Sequence, residues 1–319
     1  MSSRARIGVA LLALYIVWGS TYLAIRFAIE TIPPFLMAAT RFLVAGSLLL
    51  CWMRLRGAPW PKPSEWREAS IVGGLMLLGG NGGVCWAEQT VPSGVAALVV
   101  STVPIWVVLL DWLWLRSGRP NTSTLFGLAL GFGGVALLVR PGGAMHSGGA
   151  PVLGILVLVL ASGLWAAGAL YSRRARLPSS PWVAISMEMI AGGALLALAG
   201  IAVGEWRHVH LAEVTARSLL SLAYLVFFGS LIGFSAYLWL LKATTPARAS
   251  TYAFVNPVVA VFLGWAFAGE AFPLRTMIAA AVALTGVVLI VRAGGVSRRA
   301  PPSVHSVPAG ADRTGLPSG

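Results

Sequence analysis

Val17-Trp18-Gly19-Ser20-Thr21-Tyr22-Leu23-Ala24-Ile25-Arg26 returns 147 positions later as Leu164-Trp165-Ala166-Ala167-Gly168-Ala169-Leu170-Tyr171-Ser172-Arg173. At the same offset Pro34 and Gly46 return as Pro181 and Gly193. Farther along, Gly80, Trp86, Pro104, Trp112, Pro120 and Gly133 return 153 positions later as Gly233, Trp239, Pro257, Trp265, Pro273 and Gly286. The chain is therefore written twice, and each copy holds five apolar stretches of about 20 residues. An odd number of crossings makes the second copy enter a membrane upside down. Inverted repeats with a binding site between them are a common plan of secondary transporters.

Composition agrees with that reading. Apolar residues make up 57% of the chain and charged residues 10%, against roughly 25% charged in a soluble domain. Mean hydropathy is +0.82. A membrane barrel would show segments of about ten residues with alternating polarity, and none occurs. The expected fold is an all-α polytopic membrane protein with ten transmembrane helices arranged as two inverted five-helix repeats. The expected spans are 7–29, 33–53, 70–89, 93–115, 122–140, 151–172, 182–203, 217–241, 248–268 and 274–292. They define one repeat at 7–140 and a second at 151–292. Residues 297–319 are rich in Ser, Pro, Gly and Ala and read as a disordered cytoplasmic tail.

The net charge of +13 is a topology signal. With the N-terminus inside, sixteen Lys and Arg residues fall on the cytoplasmic side. Four, Arg140, Arg207, Arg217 and Arg275, fall outside. This bias places both termini in the cytoplasm and argues against nucleic acid as a partner; membrane lipid is the expected one. The apolar stretch after Arg4 and Arg6 has no convincing cleavage site and reads as an uncleaved first span. Cys51 and Cys85 fall toward opposite faces of the bilayer, so no disulfide is expected.

Small residues and prolines are placed for packing and bending. Gly127 and Gly131 form a GxxxG pair in span five, suited to close packing within the chain or to a homodimer contact. Pro104 and Pro257, at matched places in spans four and nine, are expected to kink their helices.

Charges inside hydrocarbon cost roughly 2.5–3.5 kcal/mol each on insertion scales. Arg41 and Glu188 occupy equivalent places in spans two and seven, one basic and one acidic. Arg41 lies about 12 Å below the outer end of its span and Glu188 about 9 Å above the inner end of its own. In a slab of about 30 Å their depths differ by about 9 Å. They are expected to flank a central cavity rather than to pair. Asn81 sits mid-span within Gly79-Gly80-Asn81-Gly82-Gly83, where the helix is loosened, and Asn256 precedes Pro257. Trp18, Trp86, Trp106, Trp165 and Trp239, with Tyr22, Tyr237 and Tyr252, are too deep or too repeated to be interface belts alone, and some are expected to line a path and stack on an organic solute. Arg26 and Glu88 lie near outer helix ends, where they can pair or reach water. Glu88 and Glu188 are the candidates for coupling to an ion.

Catalytic signatures are missing. No phosphate-binding loop occurs and the only lysines are Lys62 and Lys242, so ATP-driven transport by this chain is excluded. The four histidines, His146, His208, His210 and His305, fall in loops or the tail, which argues against an intramembrane metal or haem. No cofactor and no catalytic residue is expected.

A resemblance becomes specific on particular motifs. Leu14-Tyr15-Ile16-Val17-Trp18-Gly19-Ser20-Thr21-Tyr22 is followed by Pro33-Pro34, Arg41-Phe42, Gly80-Asn81-Gly82 and Ala87-Glu88. Val91-Pro92-Ser93-Gly94-Val95-Ala96-Ala97 comes next. The second half has Glu188-Met189, Phe228-Gly229-Ser230, Tyr252-Ala253-Phe254-Val255-Asn256-Pro257-Val258-Val259 and Gly269-Glu270. This run, over about residues 7–292, resembles the EamA family of the drug/metabolite transporter superfamily, in particular its YedA-like bacterial inner-membrane exporters. The resemblance implies a central cavity and export of small metabolites or drugs without ATP. One departure stands out: where EamA repeats often end their fourth helix with Gly-Glu, the first half has Arg116-Ser117. The expected function is secondary-active transport by alternating access. A passive channel is the first alternative, and an integral-membrane enzyme acting on lipid-like substrates the second.

Overall fold

The computed structural model describes residues 3–114, 120–139, 150–243, 252–271 and 273–292. The expected tail at 297–319 and the Arg116-Ser117 pair lie outside these residues. The described residues are helical with short connections and hold no β-strand. In the first half α1 spans Ser3–Ala28, α2 Pro34–Leu55, α3 Pro63–Gly73, α4 Gly83–Ala87, α5 Ser93–Val100, α6 Val103–Leu113 and α7 Thr122–Val139. In the second half α8 spans Ala150–Ser172, α9 Pro181–Ala202, α10 Ala216–Tyr224, α11 Gly233–Ala243, α12 Tyr252–Ala268 and α13 Leu274–Arg292. Among the described residues, seven helical stretches are long and apolar enough to cross a membrane: Ala5–Ala28, Pro34–Leu55, Pro63–Ala87, Ser93–Leu113, Val152–Ser172, Pro181–Ala202 and Ala216–Tyr237.

Local sequence sets the helix starts. Pro34, Pro63 and Pro181 open α2, α3 and α9, where a missing N–H costs nothing. Pro33 cannot cap α2 with its side chain. The carboxylate of Glu205 does so from beyond α9, accepting from the backbone N–H of Phe35 at 3.1 Å and Leu36 at 3.0 Å. The glycine-rich run around Asn81 winds as a π-helix over Gly74–Gly82, joining α3 to α4. Its counterpart, Leu225–Ile232, joins α10 to α11 in the same way. Such wide turns free backbone groups from their usual partners and recur at functional sites.

The matched prolines behave differently. Pro104 falls in the first turn of α6, after a break at Ser101 and Thr102, so it starts a helix instead of kinking one. Both hydroxyls turn back at 2.6 Å on the carbonyls of Leu98 and Val99, which stabilises the interruption. The matching positions in the second half, Phe254 and Val255, carry no hydroxyl, and Pro257 stays inside α12.

Repeat-related helices meet each other through glycine. A Cβ on Gly46 of α2 would lie 2.8 Å from Cβ of Met189 on α9, one on Gly193 would lie 2.9 Å from the Leu43 nitrogen, and one on Gly200 would lie 2.9 Å from Leu36. The register runs in opposite directions, so α2 and α9 are antiparallel. The same holds for α7 and α13, where Gly127 faces Gly286 and Gly134 faces Ala283. Gly131 faces Ile105 of α6, so both members of the GxxxG pair serve packing within the chain. Elsewhere α1 lies against α10, α11 and α12, while α8 lies against α3, α4, α5 and α6. Exchanging the halves maps one set of neighbours onto the other. The core between them draws Phe42, Met37 and Leu77 from the first half and Ile155, Leu158 and Leu196 from the second. Leu12 and Ile16 on α1, and Leu156 and Leu160 on α8, face outward, as hydrocarbon requires.

Gly286 and Gly133 occupy equivalent places in the repeat, yet their surroundings differ. A Cβ on Gly286 would lie 2.5 Å from the Gly127 carbonyl oxygen, whereas one on Gly133 meets nothing within 4 Å. Gly286→Ala should therefore destabilise the bundle by about 1–3 kcal/mol and lower its unfolding temperature in detergent. Gly133→Ala should leave that temperature unchanged.

Candidate functional site

The second π-helical segment carries the most structured polar site of the bundle. The pyrrole edge of Trp18 on α1 lies against Gly233, where any Cβ would overlap its indole. Its indole N–H donates to the Gly229 carbonyl at 3.2 Å. Three further rings surround it: Tyr252 edge-on at 4.9 Å between centroids, Tyr237 at 5.3 Å and Phe234 at 5.5 Å. Tyr237 and Tyr252 also meet each other edge-on, at 5.7 Å between centroids, so the rings form one mutually packed box.

Arg41 reaches the same segment from α2. Its side chain is 4% exposed. The guanidinium lies 4.7 Å from the Phe42 ring centroid and Nε donates to the Ser230 hydroxyl at 2.9 Å. Nη2 packs on Gly229, and Nη1 has no hydrogen-bond partner among the described residues. Gly229 and Ser230 thus join the tryptophan box to a buried cation with donor capacity to spare. The adjacent wall carries a second polar link, Ser20 to Tyr224, with hydroxyls 2.7 Å apart.

Glu188 of α9 forms no ion pair with Arg41. It lines a small crevice with Gly73, Met76, Leu77 and Phe234. Phe234 therefore touches both the tryptophan box and the crevice. The first π-helical segment repeats the pattern with other chemistry. Trp165 of α8 lies over Gly80, as Trp18 lies over Gly233. The Asn81 side-chain oxygen accepts from the Cys85 thiol at 3.5 Å.

The other candidates are dispersed. Tyr22 and Trp86 pack against the central apolar core. Trp106 stands edge-on to Phe132 at 5.6 Å, with its indole N–H buried and unpartnered among the described residues. Asn256 is buried in α12, and its side-chain oxygen likewise has no described partner. Arg26 meets Glu88 through the backbone, donating to the Glu88 carbonyl at 2.7 Å. The Glu88 carboxylate is fully buried and both its oxygens are unpartnered among the described residues. Glu270 accepts from the N–H groups of Ser93 at 2.7 Å and Gly94 at 3.1 Å, closing the start of α5. Among the described residues the one ion pair is Arg217 with Glu30, at 3.5 Å.

Of the longer set of cavity residues expected from the sequence, the structure brings Trp18, Tyr237 and Tyr252 into contact and Arg41 onto the same segment; Ser230 and Phe234, which connect them, were not among those expected. A hydroxyl directly after a mid-span glycine was the available signal for Ser230. Phe234 is indistinguishable by type from a packing residue.

Two stretches of the chain, residues 6–140 and 152–292, match the EamA-like transporter family. The chain is 41% identical over 283 residues to the uncharacterized inner membrane transporter YedA of Escherichia coli (strain K12), covering 88% of this chain and 89% of that protein. It is 24% identical over 297 residues to the uncharacterized transporter YvbV of Bacillus subtilis (strain 168), covering 90% and 92%. A crystal structure of a protein 23% identical to it superposes with a TM-score of 0.58, over 89% of this chain and 96% of that one, and speaks for the fold alone. With seven helices of membrane length, the protein is a multi-pass membrane protein.

The Arg41–Ser230 contact is open to a double-mutant cycle. Hydrogen bonds to charged groups are worth about 1.5–3 kcal/mol, so Arg41→Ala and Ser230→Ala should be non-additive by that order in thermal unfolding. Full additivity would mean that the two side chains do not share a bond.

Proposed function

Because the chain belongs to the EamA-like transporter family, we propose that it is a secondary-active carrier of the bacterial inner membrane that exports small metabolites or drugs by alternating access. Ten crossings form two inverted five-helix halves, at 7–140 and 151–292, with both termini in the cytoplasm. The antiparallel pairing of α2 with α9 and of α7 with α13 supports the inversion. The charge bias of the loops supports the orientation.

The observation that carries this reading is the reciprocal seating of Trp18 on Gly233 and of Trp165 on Gly80. Each half places a tryptophan against the π-helical segment of the other. Rocking one half against the other shifts both contacts together, and that coupling is what alternating access needs. Solute binds between the halves. The aromatic box of Trp18, Tyr237 and Tyr252 takes its apolar face, and Arg41 with its unpartnered Nη1 takes an acceptor group. Glu188, Asn81 and Asn256 supply further polar contacts. Proton exchange at Glu88 or Glu188 drives the cycle.

A thermal-shift screen of the purified protein against amino acids, sugars, nucleosides and cationic drugs identifies a solute, and counterflow in proteoliposomes then tests the mechanism. Saturable counterflow of labelled solute is expected; linear, unsaturable flux would instead identify a channel. A pH gradient should drive uphill accumulation, and equal accumulation without the gradient would exclude proton coupling. Arg41→Ala should lower counterflow at least tenfold at normal expression. Retention of the native rate would remove Arg41 from the site.

A further inference from the structure

Where α1 and α4 end, α5 begins and α12 ends, the bundle contains buried polar atoms that the solute site does not use. Glu88 is 0% exposed, and neither carboxylate oxygen has a hydrogen-bond partner among the described residues. The Ser93 hydroxyl is equally buried and unpartnered among them. Glu270, which follows α12, clasps the start of α5 through two backbone N–H groups at 2.7 and 3.1 Å. It is held close to Gly264, where a Cβ would lie 2.5 Å from its carboxylate. The turn behind it needs Gly269 at φ +64°, a conformation that favours glycine. The clasp joins the second half of the chain to the first, and the first half has no reciprocal acid, since Arg116-Ser117 stands at the equivalent place.

An ionised carboxylate buried without partners is strongly unfavourable and neutralises instead. The titratable and charged groups facing Glu88 are Arg26 on α1, Tyr22 on α1, Cys85 on α4 and Glu270 beyond α12. The Arg26 Nη1 is directed to the Glu88 and Gln89 carbonyls, not to the carboxylate. The Glu270 carboxylate is engaged at the start of α5, accepting from the Ser93 and Gly94 N–H groups. Two anions in one dry corner repel each other.

We propose that Glu88 is a proton-binding site whose occupancy is tied to the Glu270 clasp. Closing this end of the bundle takes one proton from water onto the Glu88 carboxylate, and opening it wets Glu88 and returns that proton to water. The clasp and the protonated acid form together, because each is favourable only when the other is in place. The inference rests on the carrier reading for its purpose, but its measurement does not depend on transport.

The test uses the full-length protein in liposomes, with Cys51→Ser and Cys85→Ala to remove native thiols. Spin labels are placed at Gln89→Cys and Ala271→Cys, both exposed positions flanking the clasp. Between about pH 5.5 and about pH 8.5, a range in which ordinary carboxylates stay largely ionised, the label distance should lengthen as pH rises. With Glu88→Gln, a neutral isostere, the distance should stay short throughout. With Glu270→Gln the longer distance should dominate at every pH. A native distance that does not change with pH would overturn the proposal, as would a Glu88→Gln variant with the native pH response. If the distances respond as stated while counterflow is absent, the proton site stands and the carrier reading fails.

Discussion

Two tryptophans resting on two glycines hold the halves of this molecule in register. Trp18 reaches across to Gly233 and Trp165 reaches across to Gly80. Neither contact tolerates a Cβ without movement, so both glycines are fixed by the approach of an indole. Around each, the helix widens into a π-helical segment, and the freed Gly229 carbonyl accepts the Trp18 indole N–H. A bundle in lipid has little hydrophobic drive to associate helices, so close backbone approach and internal hydrogen bonds must do that work. The glycine contacts of α2 with α9 and of α7 with α13 extend the same solution to the flanks of the bundle.

The halves share this scaffold but divide their polar chemistry. The second π-helical segment receives a buried arginine beside a cluster of four aromatic rings, whereas the first receives Trp165 and pairs its own Asn81 amide with the Cys85 thiol. Glu270 clasps the start of α5, and Glu205 does the same for α2. In both cases an acid of the second half completes a helix of the first. Helix starts after proline lack a side-chain cap of their own, so a partner carboxylate is well placed to satisfy them. These unequal links distinguish two otherwise similar halves.

Much of this organisation was legible in the chain. Spacing of apolar stretches gave the all-helical membrane class and placed most of the seven membrane-length helices of the described residues to within a few residues. The third span is the main exception, with its helix beginning earlier, at Pro63, because proline is a good first-turn residue even ahead of polar sequence. The matched prolines were read as equivalent kinks. They differ because Ser101 and Thr102 bond back to carbonyls and their counterparts cannot. Arg26 and Glu88 were correctly placed near each other, but the bond runs to a carbonyl and leaves the carboxylate alone.

Sequence alone thus established what hydropathy encodes: an all-helical membrane protein, the order of its apolar helices and the residues too polar to be lipid-facing. Only the tertiary structure decided which of those residues share a site. Trp18 and Gly233 are 215 positions apart, and Arg41 and Ser230 are 189 apart. No local pattern specifies such partners, because they are set by how helices far apart in the chain pack until glycine, indole and guanidinium fit. The same packing left Glu88 dry beside the Glu270 clasp, a consequence of three-dimensional closure that no spacing along the chain announces.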